Sequence, residues 1–241
     1  MSIFRRAKDV SDEAEDFPMI PWLLLDTARI PGGGELRLKQ RGGEFSIMLG
    51  DIELMNSRLG GSEEALATLS CERIRARPGA RILIGGLGMG FTLRAALGAL
   101  GEGARVDVAE LVPAVVAWAR GPMAEVFGSS LTDPRVKIVE ADVGRVIRAG
   151  RGVFDAILLD VDNGPDGLTC AANDGLYDMR GLRAAHAALR PGGVLSVWSS
   201  GPDRVFAGRL GKAGFSVEEV KARAKGGGGA RHVIWIATRG G

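Results

Sequence analysis

The chain has 241 residues, of which 46% are hydrophobic and 25% charged, with 31 lysines and arginines against 29 aspartates and glutamates. That near-balance argues against a general nucleic-acid or membrane surface, and the apolar content is enough for a sizeable core. Cys71 and Cys170 are its two cysteines and form no CxxC pair, which leaves neither a disulfide framework nor a zinc site. The N-terminus lacks the apolar stretch of a signal peptide, and no run approaches the ~20 apolar residues that span a bilayer. A cytoplasmic protein with no membrane or nucleic-acid partner is expected.

Residues 1–17 are charged and aperiodic and read as a flexible tail. A small N-terminal β domain is expected over 18–58. Short alternating segments, Leu23–Ile30, Glu35–Gln40, Glu44–Leu49 and Asp51–Met55, are divided there by Pro31-Gly32-Gly33-Gly34, Arg41-Gly42-Gly43 and Gly50, the punctuation of an antiparallel meander. An amphipathic helix is predicted over 62–76, ending before Pro78-Gly79.

After Ala80 the pattern changes to alternating strands and helices. Strands are predicted at Arg81–Gly85, Arg105–Glu110, Val136–Glu140, Phe154–Asp160, Val194–Ser199, Ser216–Val220 and His232–Thr238. Helices are predicted at Phe91–Leu100, Pro113–Val126, Val143–Ala149, Gly175–Leu189 and Pro202–Ala213. Such alternation implies right-handed βαβ crossovers. The loop Lys221–Arg231 is too glycine-rich for a crossover helix, so the last two strands should form an antiparallel hairpin. The expected fold is α/β: a doubly wound, Rossmann-like, mostly parallel seven-stranded sheet over 59–241 with a terminal antiparallel hairpin, preceded by the small meander.

The strongest functional signal is the strand–turn–helix at 81–100, with the turn Gly85-Gly86-Leu87-Gly88-Met89-Gly90. Glycines let the main chain approach a ligand, and the following helix offers free N–H groups and a positive dipole end. A nucleotide-like ligand is implied. Phe91 stands where a dinucleotide fingerprint wants its third glycine, which disfavours nicotinamide and flavin dinucleotides.

Ligands of open parallel sheets bind at the carboxyl ends of the strands. Those ends deliver Glu110, about 20 residues after the turn and suited to ribose hydroxyls, then Asp142, then Asp160 with Asp162. Local structural roles stay open for each: a helix cap for Glu110 and Asp142, turn formation for Asp160, Asp162 and Asn163. His186 and His232 lie at unrelated positions and read as structural, which leaves no histidine-based hydrolase or metal site.

The run Ile84-Gly85-Gly86-Leu87-Gly88-Met89-Gly90-Phe91-Thr92-Leu93-Arg94 resembles motif I of the class I S-adenosylmethionine-dependent transferases, and in particular their spermidine synthase branch, whose turn reads GGGDGG followed by T-L-R. Four further segments resemble that family in order: Val108 to Val116, Asp133-Pro134-Arg135-Val136 through Asp142, Phe154 to Asp160, and Leu189-Arg190-Pro191-Gly192-Gly193-Val194-Leu195. The resemblance implies a binding site made of Gly85, Gly86, Gly88, Met89, Gly90, Glu110, Leu111, Asp142, Val143 and Asp160. In it the glycines surround the methionine portion, Glu110 takes the ribose, and Asp142 and Val143 take the adenine. It also implies Asp160, with Asp162, at the reaction centre, no metal, and a homodimer.

The departures concern the acceptor side. Met89 replaces the Asp of GGGDGG, and Ser62-Glu63-Glu64-Ala65-Leu66 replaces Y-H-E-M-L. On these grounds the expected activity is methyl transfer from S-adenosylmethionine to a small amine-bearing or cationic acceptor. The alternatives are aminopropyl transfer from decarboxylated S-adenosylmethionine, and a non-catalytic nucleoside-binding module.

Overall fold

The computed structural model describes residues 20–31, 33–161, 174–225 and 228–241. The expected tail over 1–17 and Asp162 lie outside the described residues.

Strands β1 (Leu23–Arg29), β2 (Glu35–Arg41), β3 (Glu44–Leu49) and β4 (Ile52–Asn56) form one antiparallel sheet in the order β1-β2-β3-β4. Helix α1 (Gly61–Ile74) follows. The remaining elements alternate as the glycine and periodicity signals predict: β5 (Arg81–Gly85), α2 (Phe91–Ala99), β6 (Arg105–Glu110), α3 (Pro113–Arg120), α4 (Ala124–Phe127), β7 (Val136–Glu140), α5 (Val143–Ala149), β8 (Phe154–Leu159), α6 (Asp174–Tyr177), α7 (Met179–Ala188), β9 (Leu189–Ser199), α8 (Arg204–Lys212), β10 (Phe215–Lys225) and β11 (Gly228–Arg239).

The second sheet runs β10-β11-β9-β8-β5-β6-β7. Its strands β7, β6, β5, β8 and β9 are parallel, while β11 pairs antiparallel with both β9 and β10. The terminal hairpin is therefore present, and its strands are longer than predicted, because pairing continues to Lys225 opposite Gly228 through the glycine-rich segment.

Both faces of this sheet are covered, which explains why the central strands are apolar throughout. Ile82 and Ile84 of β5 join one core with Leu66 of α1, Leu93 of α2 and Val116 of α3. Leu83 points the other way, into a core with Ile147 of α5, Leu182 of α7 and Phe206 of α8. A buried hydrogen bond of 2.6 Å between Ser70 and Ser196 ties α1 to β9.

Two predicted helices are broken. The helix from Pro113 stops at Arg120, where Gly121 leaves helical conformation ahead of Pro122, whose ring disfavours the α region for the residue before it. The helix before β9 is split at Asp178, whose carboxylate accepts from the Gly181 N–H and starts α7 afresh. No helix among the described residues is long and apolar enough to cross a membrane.

The chain builds β5, β6 and β7 outward on one side, then returns to place β8 on the other side of β5. The ends of β5 and β8 thus flank the point where strand order reverses, the place where open α/β sheets bind ligands.

Candidate active site

The glycine turn between β5 and α2 has Gly86, Gly88 and Gly90 all at positive φ (91°, 48° and 74°), which a side chain would strain. Close approach matters as well: a Cβ on Gly86 would lie 2.5 Å from the Asp160 carbonyl oxygen, and one on Gly90 would lie 2.4 Å from the Phe127 ring. Phe91, in the third-glycine position, lays its ring against Gly60 and beneath the Arg94 guanidinium. The close approach at Gly90 is to the Phe127 ring of α4 instead.

Glu110, at the end of β6, holds the turn in shape. One carboxylate oxygen accepts from the Leu87 N–H at 2.9 Å and the other from the Val112 N–H at 2.8 Å. Burial pushes its pKa above the ordinary value despite these bonds. The Leu111 N–H also acts on the carboxylate, which keeps a remaining lone pair for a ligand hydroxyl.

Asp142 caps α5, accepting from the Arg145 N–H at 2.7 Å, and pairs with Arg148 at 3.3 Å. The helix-cap role left open for it in the sequence is thus realised, while it still lines the cleft beside Val143. Asp160 stands immediately after β8, and its N–H bonds the Gly85 carbonyl. Thr92 Oγ1 donates to Asp160 Oδ2 at 2.6 Å. Burial and the nearby Glu63 carboxylate raise the Asp160 pKa to about 7, against the lowering effect of Thr92.

The cleft has two adjoining chambers. The larger, about 830 Å³ with its opening to solvent included, lies between the sheet ends and the N-terminal meander. Gly86, Gly88, Glu110, Leu111, Asp142, Val143 and Asp160 line one side of it, and Ile30, Leu36, Ile47, Leu54 and Met55 the other. The smaller, about 650 Å³, is lined by the turn residues 87–91 together with Asn56, Glu63 and Trp198. Leu54, Met55, Gly88 and Asp160 belong to both. Neither lining includes a lysine, arginine or histidine among the described residues.

The structure thus brings together Gly86, Gly88, Met89, Gly90, Glu110, Leu111, Asp142, Val143 and Asp160. Gly85 lies beneath the turn instead, where a Cβ would press on Val143 and Leu159 at 3.0–3.2 Å. Met89 lines the smaller chamber but is only 3% exposed and packs mostly into the core. Among the described residues no group of three metal-ligating side chains is found.

Three residues of the site were missed in the sequence. Glu63, in the first turn of α1, is held by Ser62, whose hydroxyl donates to it at 2.6 Å and meets His232 Nδ1 at 2.8 Å. Thr92 bonds Asp160, and Trp198 comes from β9. Glu63 stood in plain view within the segment read as having lost its active-site side chains. Its acidic character was the available signal.

No family model matches the chain. Over 128 residues it is 35% identical to "Polyamine aminopropyltransferase 1" of Streptomyces coelicolor, an alignment covering 52% of this chain and 23% of that protein. The chain therefore spans about a quarter of the length of this curated relative. Among solved structures it resembles the spermidine synthase of Thermotoga maritima, with a TM-score of 0.73 and 19% identity, covering 90% of this chain and 73% of that one. A spermidine synthase in complex with the transition state analogue AdoDATO gives a TM-score of 0.72 at 19% identity over 90% and 72% of the two chains. A probable spermidine synthase from Corynebacterium glutamicum gives 0.58 at 18% identity over 85% and 77%.

These likenesses give no support to the methyl transfer expected from the sequence, and the aminopropyl alternative fits them better. The smaller chamber carries a feature in keeping with that alternative. The segment that lost tyrosine and histidine carries Glu63, so the chamber keeps a pair of carboxylates. The chain has a spermidine synthase-like fold, and over 128 residues it is homologous to a polyamine aminopropyltransferase.

Proposed function

We propose that the protein is an aminopropyl-transferring enzyme that takes decarboxylated S-adenosylmethionine as donor and an amine as acceptor. The observation that carries this reading is the charge of the cleft: two carboxylates, Asp160 and Glu63, beside the boundary of the chambers, and no basic side chain among the described residues of either lining. S-adenosylmethionine brings a carboxylate that would face this acidic boundary unpaired. Its decarboxylated form brings only cations, which such a boundary favours.

In this reading Glu110 accepts hydrogen bonds from the ribose hydroxyls while bracing the turn. Val143 packs on the adenine, and the Asp142 carboxylate faces its amino group. The donor supplies a propyl carbon activated by its bond to a positive sulfur. Asp160, on the boundary, and Glu63 orient the acceptor amine towards that carbon. Asp160 takes one proton from the ammonium, and the freed nitrogen pair forms the new C–N bond. The C–S bond breaks with its electron pair going to sulfur, which leaves methylthioadenosine. A pKa of about 7 suits Asp160 to this exchange near neutral pH.

The test is to incubate the protein with each donor and a panel of amines, and to identify the nucleoside released. Methylthioadenosine from the decarboxylated donor is expected. S-adenosylhomocysteine from S-adenosylmethionine would overturn the reading in favour of methyl transfer.

A further inference from the structure

Resting on that reading, we infer that His232 is a positioning residue for the acceptor amine, acting through Ser62 on the Glu63 carboxylate. The three side chains form one directed chain. Ser62 Oγ donates to Glu63 Oε2 at 2.6 Å and lies 2.8 Å from His232 Nδ1. A hydroxyl has one proton to give, and here the carboxylate accepts it. The hydrogen between Ser62 and His232 is therefore the imidazole's, so the ring carries a proton on Nδ1. Ser62 is fully buried, which keeps water from replacing either bond.

Helix α1 brings Ser62 and Glu63, and β11 brings His232. Trp198 of β9, which lines the smaller chamber, meets the His232 ring edge-on with centroids 4.7 Å apart. His232 lines neither chamber but a surface depression, with Arg204, Glu219, Lys221 and Arg231. Its effect on the amine therefore passes through Glu63. An unheld glutamate at the chamber wall would have to be ordered by each incoming amine, whereas the chain from His232 completes that ordering on folding. The same chain sets the charge near Asp160. Glu63 from α1 raises the Asp160 pKa, and Thr92 from α2 lowers it. Burial holds His232 itself below its ordinary pKa, against the opposing effect of Glu63.

The experiment is steady-state kinetics with decarboxylated S-adenosylmethionine and alkyl mono- and diamines of three to six carbons, read as methylthioadenosine release. Ser62→Ala and His232→Phe should each raise the amine KM about ten-fold and leave the donor KM unchanged, because Glu63 does not line the larger chamber. In both, the acid limb of kcat/KM should move to lower pH, in the direction that Glu63→Gln moves it. The double variant should lose no more than either single one, since both cut the same chain. His232→Asn should recover most of the loss, because its amide N–H₂ offers Ser62 a donor without a titrating ring. Should His232→Phe fail to fold, Ser62→Ala, which deletes one oxygen, decides alone. An unchanged amine KM and acid limb in Ser62→Ala overturn the inference and leave the proposed function standing. No methylthioadenosine from the parent protein overturns that function, and this inference with it.

Discussion

The Thr92 hydroxyl donates to Asp160 Oδ2 at 2.6 Å, so the first turn of α2 holds the carboxylate that follows β8. The bond favours the charged carboxylate, while burial and Glu63 favour the protonated acid, and the balance leaves Asp160 near pH 7. Thr92→Val removes the one opposing interaction and keeps the shape. Activity of the parent should fall as pH drops below about 7, because the protonated acid cannot take the amine's proton. In the variant that acid limb should move to higher pH, as read from the pH profile of kcat/KM.

Asp160 also predicts an unusual dependence of stability on pH. Its folded pKa of about 7 exceeds the 3.8 of an exposed aspartate, so between these values the folded protein holds a proton that the unfolded chain has released. Stability from this group is complete below about pH 4 and is lost as pH rises through 7. Asp160→Asn should therefore raise Tm at pH 8 and change it little at pH 4, while abolishing turnover. Thermal melts at the two pH values check this, and equal shifts at both would refute it.

Glu110 carries two roles that one substitution should reveal together. Glu110→Gln offers an N–H₂ where the Leu87 or Val112 N–H needs an acceptor, so one buried donor is orphaned. A stability loss of about 1–3 kcal/mol is expected. The turn also loses its brace, and methylthioadenosine affinity should fall about ten-fold or more in titration. A variant of full stability and full affinity would show that the carboxylate does neither job.

Gly60 and Phe91 should behave as a coupled pair. A Cβ on Gly60 would sit 2.3 Å from the Phe91 ring, although its φ of −142° suits any residue. Gly60→Ala should cost about 1–3 kcal/mol through overpacking. Much of that should return in Gly60→Ala/Phe91→Leu, and denaturant melts of the four proteins of the cycle give the coupling. Additive losses would mean that the ring moves aside freely.

How much was legible in the sequence follows from how local each signal is. The bounds of β3, β5, β6, β7 and α5 were read without error, because alternation, helical period and glycine punctuation act over a few neighbouring residues. The glycine turn and Glu110 were legible for the same reason, being successive strand ends of one βαβ unit. The helix from Pro113 was drawn too long because Gly121-Pro122 was passed over, although its chemistry was local too. Asp162 cannot be compared, since it lies outside the described residues.

The smaller chamber was a different matter. Glu63 comes from α1, Thr92 from α2, Trp198 from β9, and the His232 that meets Ser62 from β11. No spacing in the sequence links them. The sequence by itself determined the doubly wound sheet, the turn and the row of acids at the strand ends, since hydrogen bonding and side-chain period are properties of short segments. Only the packing of α1 on α2 and β9 decided that Glu63 stands beside Asp160. The charge state of a carboxylate depends on the water it loses and the charges it gains, and both are set by residues that the chain brings together from far apart.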